Sequence, residues 1–125
     1  MYSVAVRRNF IASHFLTGGD WGPENETHAH HYVLEVRFSG PKLDHHGYLL
    51  DICEIEAVLD ELVARYRDQT LNRLAEFDGL NPSLEHFARI FCHAISEKIR
   101  IQNLQSVTVK IWENDIAWAS YTKDL

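Results

Sequence analysis

Apolar and polar residues alternate through residues 3–16, SVAVRRNFIASHFL, which places Val4, Val6, Phe10, Ala12, His14 and Leu16 on one face of an extended chain. Arg8 is the exception on that face. A period of two fits this run better than 3.6 and predicts a strand. The Gly, Pro, Asp and Asn cluster TGGDWGPEN ends it and predicts a loop of the kind that carries function. A second strand is predicted from Thr27 to Ser39, with His28, His30, Tyr32, Leu34, Val36 and Phe38 on one face and Ala29, His31, Val33, Glu35 and Arg37 on the other. The two runs should pair as an antiparallel hairpin.

The period then changes. After a turn-rich GPKLDHHG and a short extended lead GYLLD, the residues Ile52, Ile55, Val58, Leu59, Leu62, Val63 and Tyr66 recur at helical spacing. Asp51 with Glu54 three positions on resembles a capping box. DQTLNRLAEFDGLNPS reads as an irregular connector, with Asn81 and Pro82 as cap and first-turn residue of a second helix. The buried stripe of that helix is Leu84, Phe87, Ala88, Phe91, Ile95 and Ile99. Val107, Val109, Ile111 and Glu113 alternate on a third strand, and AWASY continues as a short fourth. The order strand, strand, helix, helix, strand, strand predicts an α+β fold: an antiparallel sheet with both helices on one face.

Length makes this one domain, residues 1–125, with one site to carry the function. A content of 46% hydrophobic and 24% charged residues is that of a globular chain. No apolar run approaches the roughly 20 residues that span a bilayer, and the N-terminus lacks a signal-peptide core, so a cytoplasmic protein without a membrane partner is expected. A formal net charge of −6 offers no electrostatic footprint for nucleic acid. With only Cys53 and Cys92, neither a disulfide scaffold nor a four-cysteine zinc site can form.

Eight histidines in 125 residues are the compositional anomaly. His28 and His30 point the same way from one strand, about 6.5 to 7 Å apart along the chain. His14 is in phase on the neighbouring strand. Three neutral imidazoles can hold zinc tetrahedrally and leave one position open, which is the arrangement of a catalytic site. A wet strand end with unpaired surface histidines would carry the same His-x-His pattern, and His14 shifts the balance toward metal. His31 falls on the opposite face and is read as exposed or hydrogen-bonded. His45 and His46 belong to a polar turn, and His86 and His93 to the polar edge of the second helix. Glu113 continues the apolar face of the third strand, where a carboxylate needs a partner. An exposed glutamate at a strand end reads equally well.

FIASHFL, HAHHYVLEVRFSG, GYLLDICEIEAVLDEL, LNPSLEHFA and VKIWENDIAWASY occur here in the order and spacing of the 6-pyruvoyl-tetrahydropterin synthase and 6-carboxytetrahydropterin synthase family, which the chain resembles over nearly its whole length. The resemblance implies a tunnelling fold (T-fold), whose subunits assemble into β-barrels as trimers or hexamers with sites at subunit interfaces. It also implies Zn2+ on His14, His28 and His30, and a pterin substrate anchored by Glu113. A carboxylate suits that anchor because it accepts two parallel hydrogen bonds.

Two positions depart from the family pattern. Where the family has a cysteine base four residues before the first histidine of its H-G-H motif, this chain has Glu24. A subgroup with glutamate there is associated with cleaving dihydroneopterin to 6-hydroxymethyl-dihydropterin for folate synthesis. The family's aspartate-histidine relay corresponds here to YRDQTLN: ungapped matching aligns Arg67 and Asp68, a one-residue gap aligns Asp68 and Gln69, and the histidine is missing either way. The resemblance therefore implies a zinc-dependent carbon–oxygen or carbon–carbon lyase acting on 7,8-dihydroneopterin or its triphosphate, with Glu24 as acid/base, alone or with Asp68. The alternative is a catalytically degenerate protein that keeps zinc and pterin binding.

Overall fold

The computed structural model describes residues 1–125. Four strands, β1 (Tyr2–His14), β2 (His28–Gly40), β3 (Ser106–Trp112) and β4 (Trp118–Asp124), form one antiparallel sheet in the order β1-β2-β3-β4. Helices α1 (Ile52–Tyr66) and α2 (Leu84–Lys98) cover one face of it, α1 against β1 and α2 across β3 and β4. This is the expected α+β arrangement, with strand ends within a few residues of those read from periodicity. No helix is long and apolar enough to cross a membrane.

The even-numbered side chains of β1 and β2 enter the core as the alternation requires: Val6, Phe10, Tyr32, Leu34, Val36 and Phe38 are all buried. They meet Ile55, Leu59, Leu62, Val63 and Tyr66 of α1 and Phe87, Ala88, Phe91, Cys92 and Ile95 of α2. Ile52, included in the helical stripe, is instead exposed in the first turn. Arg8 breaks the apolar face without cost to the core, because its guanidinium is met by Asp60 at 2.7 Å and Glu56 at 2.9 Å, both reaching across from α1.

The structure corrects three local expectations. The cap of α2 is Ser83, whose Oγ accepts the His86 N–H at 3.1 Å, rather than the pair Asn81–Pro82. The lead GYLLD is irregular rather than extended, and buries Leu49 and Leu50. Within the connector, Leu71–Arg73 and Ala75–Phe77 form 3-10 turns that bury Leu71 and Phe77. The backbone just before them lies along the edge of β1: Asp68 N–H donates to Ile11 O at 2.7 Å and Ser13 N–H to Gln69 O at 2.8 Å.

The sheet face without helices mixes polar side chains with exposed Ile11 and Trp118, and Lys110 Nζ is held over the rings of Trp112 and Trp118 at 4.6 and 3.9 Å. Gly40 closes the far end of β2. A methyl there would overlap the Asn103 carbonyl, so only glycine fits.

Candidate metal centre

The register of the β1–β2 hairpin sets His14 directly opposite His28, with His30 opposite Ala12. All three side chains project from the helix-covered face at the mouth of the hairpin. The ring centroids are 4.6 Å apart for His14 and His28, and 4.9 Å for each of the other two pairs. Their ligating nitrogens lie within 4.8 Å of one another, and the cluster holds no other candidate ligand. A bare His-x-His at a wet strand end would leave its rings in water. Here His14 is buried, and the other two are half-buried around it.

Hydrogen bonds decide which nitrogens are available. His14 Nδ1 lies 3.0 Å from Pro82 O, and His28 Nδ1 lies 2.8 Å from Glu26 O. A carbonyl oxygen only accepts, so each Nδ1 carries the proton and each neutral ring presents a lone pair at Nε2. Those two Nε2 atoms are 3.0 Å apart. Two lone pairs at that separation repel unless a cation lies between them. With zinc–nitrogen bonds of about 2.0–2.1 Å in tetrahedral geometry, neighbouring nitrogens would sit about 3.3 Å apart. The donor set thus fits a divalent cation bound by three imidazoles, two of them oriented by backbone carbonyls. Burial, then the charges of His30 and His28, pull the His14 pKa down from 6.5 to about 4. The ring is thereby kept in the neutral form a metal needs.

A cleft of about 210 Å³ opens beside the histidines, lined by His14, His30, Glu24 and Glu113 together with Asn81, Ser83 and Glu85. Glu24 reaches it from the short 3-10 turn Gly22–Asn25 in the β1–β2 loop. Glu113 reaches it from the end of β3, half-buried, with its N–H donated to Ala117 O at 3.2 Å. Of the residues singled out in the sequence, five therefore share this corner. Asp68 does not. It is exposed at the end of α1 with a φ of 60°, along the outer edge of β1.

Of the remaining histidines, His93, read as part of the polar edge of α2, is half-buried with its ring centroid 5.6 Å from that of Tyr121 on β4. His31 faces outward and bonds Asn9 Oδ1 at 3.0 Å. His45 and His46 lie in an exposed turn organised by Asp44. His86 Nδ1 donates to Asn81 O at 2.8 Å. Sequence reasoning missed Tyr32 as a neighbour of the centre: its hydroxyl is 3.3 Å from His14 Nδ1. The signal was present, since Tyr32 is the next in-phase residue after His28 and His30. It also missed the carbonyls of Pro82 and Glu26, which no side-chain pattern encodes.

Comparison with known proteins gives the family and the fold. The family model for 6-pyruvoyl tetrahydropterin synthase matches residues 3–124. A putative 6-carboxy-5,6,7,8-tetrahydropterin synthase from Archaeoglobus fulgidus is 25% identical over 116 residues, covering 93% of this chain and 91% of its own. The 6-pyruvoyl tetrahydropterin synthase of Caenorhabditis elegans superposes with a TM-score of 0.82 at 20% identity, over 98% of this chain and 97% of the other. That of Plasmodium vivax gives 0.83 at 12% identity, over 99% and 98%. Structures of the Plasmodium vivax protein include mutants of a catalytic residue, a glutamate changed to cysteine or to alanine.

Proposed function

The chain belongs to the 6-pyruvoyl tetrahydropterin synthase family, and on that premise we propose that it is a zinc-dependent lyase acting on the C6 side chain of 7,8-dihydroneopterin or its triphosphate. The observation that carries this reading is the meeting of Glu24 and Glu113 with His14 and His30 around one cleft. His14, His28 and His30 would hold the zinc. When bound, the metal supplies a Lewis acid that lowers the pKa of a hydroxyl beside it.

The rest of the chemistry belongs to the chain. Glu113 accepts paired hydrogen bonds from the pterin ring edge, which fixes the ring and aims the C6 side chain at the histidines. Glu24 removes a proton from a side-chain hydroxyl and returns one to the product. In the carbon–carbon route that hydroxyl is the one on C2′: the C1′–C2′ bond breaks and C2′ departs as the aldehyde of the leaving fragment. The electron pair left on C1′, beside C6, spreads into the ring imine until Glu24 protonates it to give 6-hydroxymethyl-dihydropterin. In the carbon–oxygen route the proton is taken instead from the carbon next to the one that bears the phosphate, and triphosphate leaves with the C–O electron pair. Glutamate as the catalytic residue of the Plasmodium vivax relative supports giving that role to Glu24. Asp68 would assist only from a neighbouring subunit in a trimer or hexamer, since it stands outside the cleft of its own chain.

The missing relay histidine favours a second reading, a protein that binds zinc and pterin without turnover. Incubation with each pterin and chromatography of the products separates the two, because a binder yields no new pterin. In the same assay Glu24→Gln should abolish product while zinc content stays at that of the unsubstituted protein. Undiminished turnover in that variant would remove Glu24 from the mechanism.

A further inference from the structure

The loop between β1 and β2 supplies two separate parts of the site. Glu24 lines the cleft, and the carbonyl of Glu26 orients His28. Asn25 stands between them, half-buried, and its carboxamide is committed entirely to this loop. Its Nδ2 donates to Leu16 O and to Gly19 O, each at 3.0 Å, and its Oδ1 accepts the Trp21 N–H at 2.8 Å. The residue thus ties the entry of the loop, its tip and its return to one point. Beside it, Leu16 N–H donates to Glu24 O at 2.9 Å, so the strand leaving His14 holds the backbone of Glu24 directly. Gly19 takes part through its missing side chain, since a Cβ there would come within 2.9 Å of the Trp21 ring.

We propose that Asn25 is the positioning residue of this loop: its carboxamide holds Glu24 over the cleft and sets the Glu26 carbonyl against His28. The inference rests on the assignment of Glu24 as acid/base made above. Its physical basis is that the position needs two donors and one acceptor in a planar group of fixed size, which only a primary carboxamide provides. Aspartate has the same shape but would turn an oxygen toward the carbonyls of Leu16 and Gly19, and those contacts would become repulsive.

Asn25→Asp and Asn25→Ala should both loosen the loop while leaving the sheet intact. By hydrogen exchange, the Leu16 amide, whose acceptor is Glu24 O, is expected to exchange roughly tenfold faster or more, with the core amides of Phe10 and Leu34 unchanged. In turnover, kcat should fall roughly 10- to 100-fold with KM held within about threefold, because the acid/base is misplaced rather than the pterin unbound. Zinc affinity, read by competition with a chromophoric chelator, should weaken by less than the roughly 10- to 100-fold seen when a ligand's own hydrogen-bond partner is lost. An unchanged Leu16 exchange rate in both variants overturns the proposal whatever the activity. So does faster exchange with undiminished kcat, provided Glu24→Gln is inactive. If Glu24→Gln is itself fully active, the reading of Glu24 falls and takes this proposal with it, an outcome distinct from failure in the Asn25 variants alone.

Discussion

Arg8 and His14 are two polar residues on the same inward face of the same strand, and they resolve burial in opposite ways. Arg8 is closed. Its guanidinium is matched by carboxylates from α1, Asp60 at 2.7 Å and Glu56 at 2.9 Å, and nothing further is needed. His14 is left open: one nitrogen is satisfied by Pro82 O, and the other faces the lone pair of His28 at 3.0 Å. Position in the alternation does not distinguish a structural polar group from a functional one, although His14 is the more deeply buried of the two. The difference lies in whether the local hydrogen bonds complete the group or leave several acceptors converging on one point.

The largest expected effect tests the open end. His14→Ala removes the only ligand contributed by β1 and should weaken zinc binding on the order of 100-fold or more, measured by chelator competition. Far-ultraviolet circular dichroism should not change, because the hairpin register is carried by the pairing of residues 2–13 with residues 29–40, away from this last pair. If zinc affinity survives, the three rings do not act as one site, and His14 would be as structural as Arg8.

Much of this contrast could be read from sequence, and the part that could not has a physical cause. The in-phase triad was legible because a period of two fixes which side chains share a face, and a hairpin brings two such faces together at its mouth. The β1–β2 core and both helical stripes were legible for the same reason, Ile52 excepted. The partners of His14 and His28 were not. They are main-chain carbonyls of Pro82 and Glu26, and a carbonyl has no residue signature. Pro82 was read with Asn81 as the start of a helix. In the fold Asn81 Oδ1 instead accepts the Thr17 N–H at 3.0 Å, Ser83 caps α2, and the Pro82 carbonyl between them faces His14 Nδ1 at 3.0 Å. Asp68 was aligned by resemblance alone, and a single chain gives it no neighbour at the cleft.

An intermediate effect is expected at a second closed pair. Arg65 grips Glu76 with two hydrogen bonds of 2.6 Å, and the Tyr66 hydroxyl adds a third at 3.1 Å. These bonds, the Arg65 pair foremost, hold the Glu76 pKa at about 2 against an ordinary value of 4.5. A depressed carboxyl pKa contributes stability that is fully present above the unfolded value and is lost as pH falls toward the folded one. The stability difference between the unsubstituted protein and Glu76→Gln should be about 1–2 kcal/mol at pH 7, reduced from the full shift because Arg65 is half exposed. It should close between pH 4.5 and 2 in urea titrations. A difference that persists at pH 2 would mean that packing, not charge, holds this corner.

Arg8→Met should have the smallest effect. Methionine keeps an unbranched stem against the core, while the guanidinium and its two ion pairs are lost. The carboxylates left behind are 44% and 60% exposed and can be rehydrated in place, so no buried charge is stranded. The loss should therefore be about 1 kcal/mol or less, and it should shrink further in 1 M salt, where the screening length is about 3 Å. Zinc affinity should not move, because Arg8 shares no hydrogen bond with the histidines. A loss of about 3 kcal/mol or more, insensitive to salt, is what breaking a buried pair produces. That result would place Arg8 in the same desolvated layer as His14, and the two polar positions of β1 would then differ only in which partner each is missing.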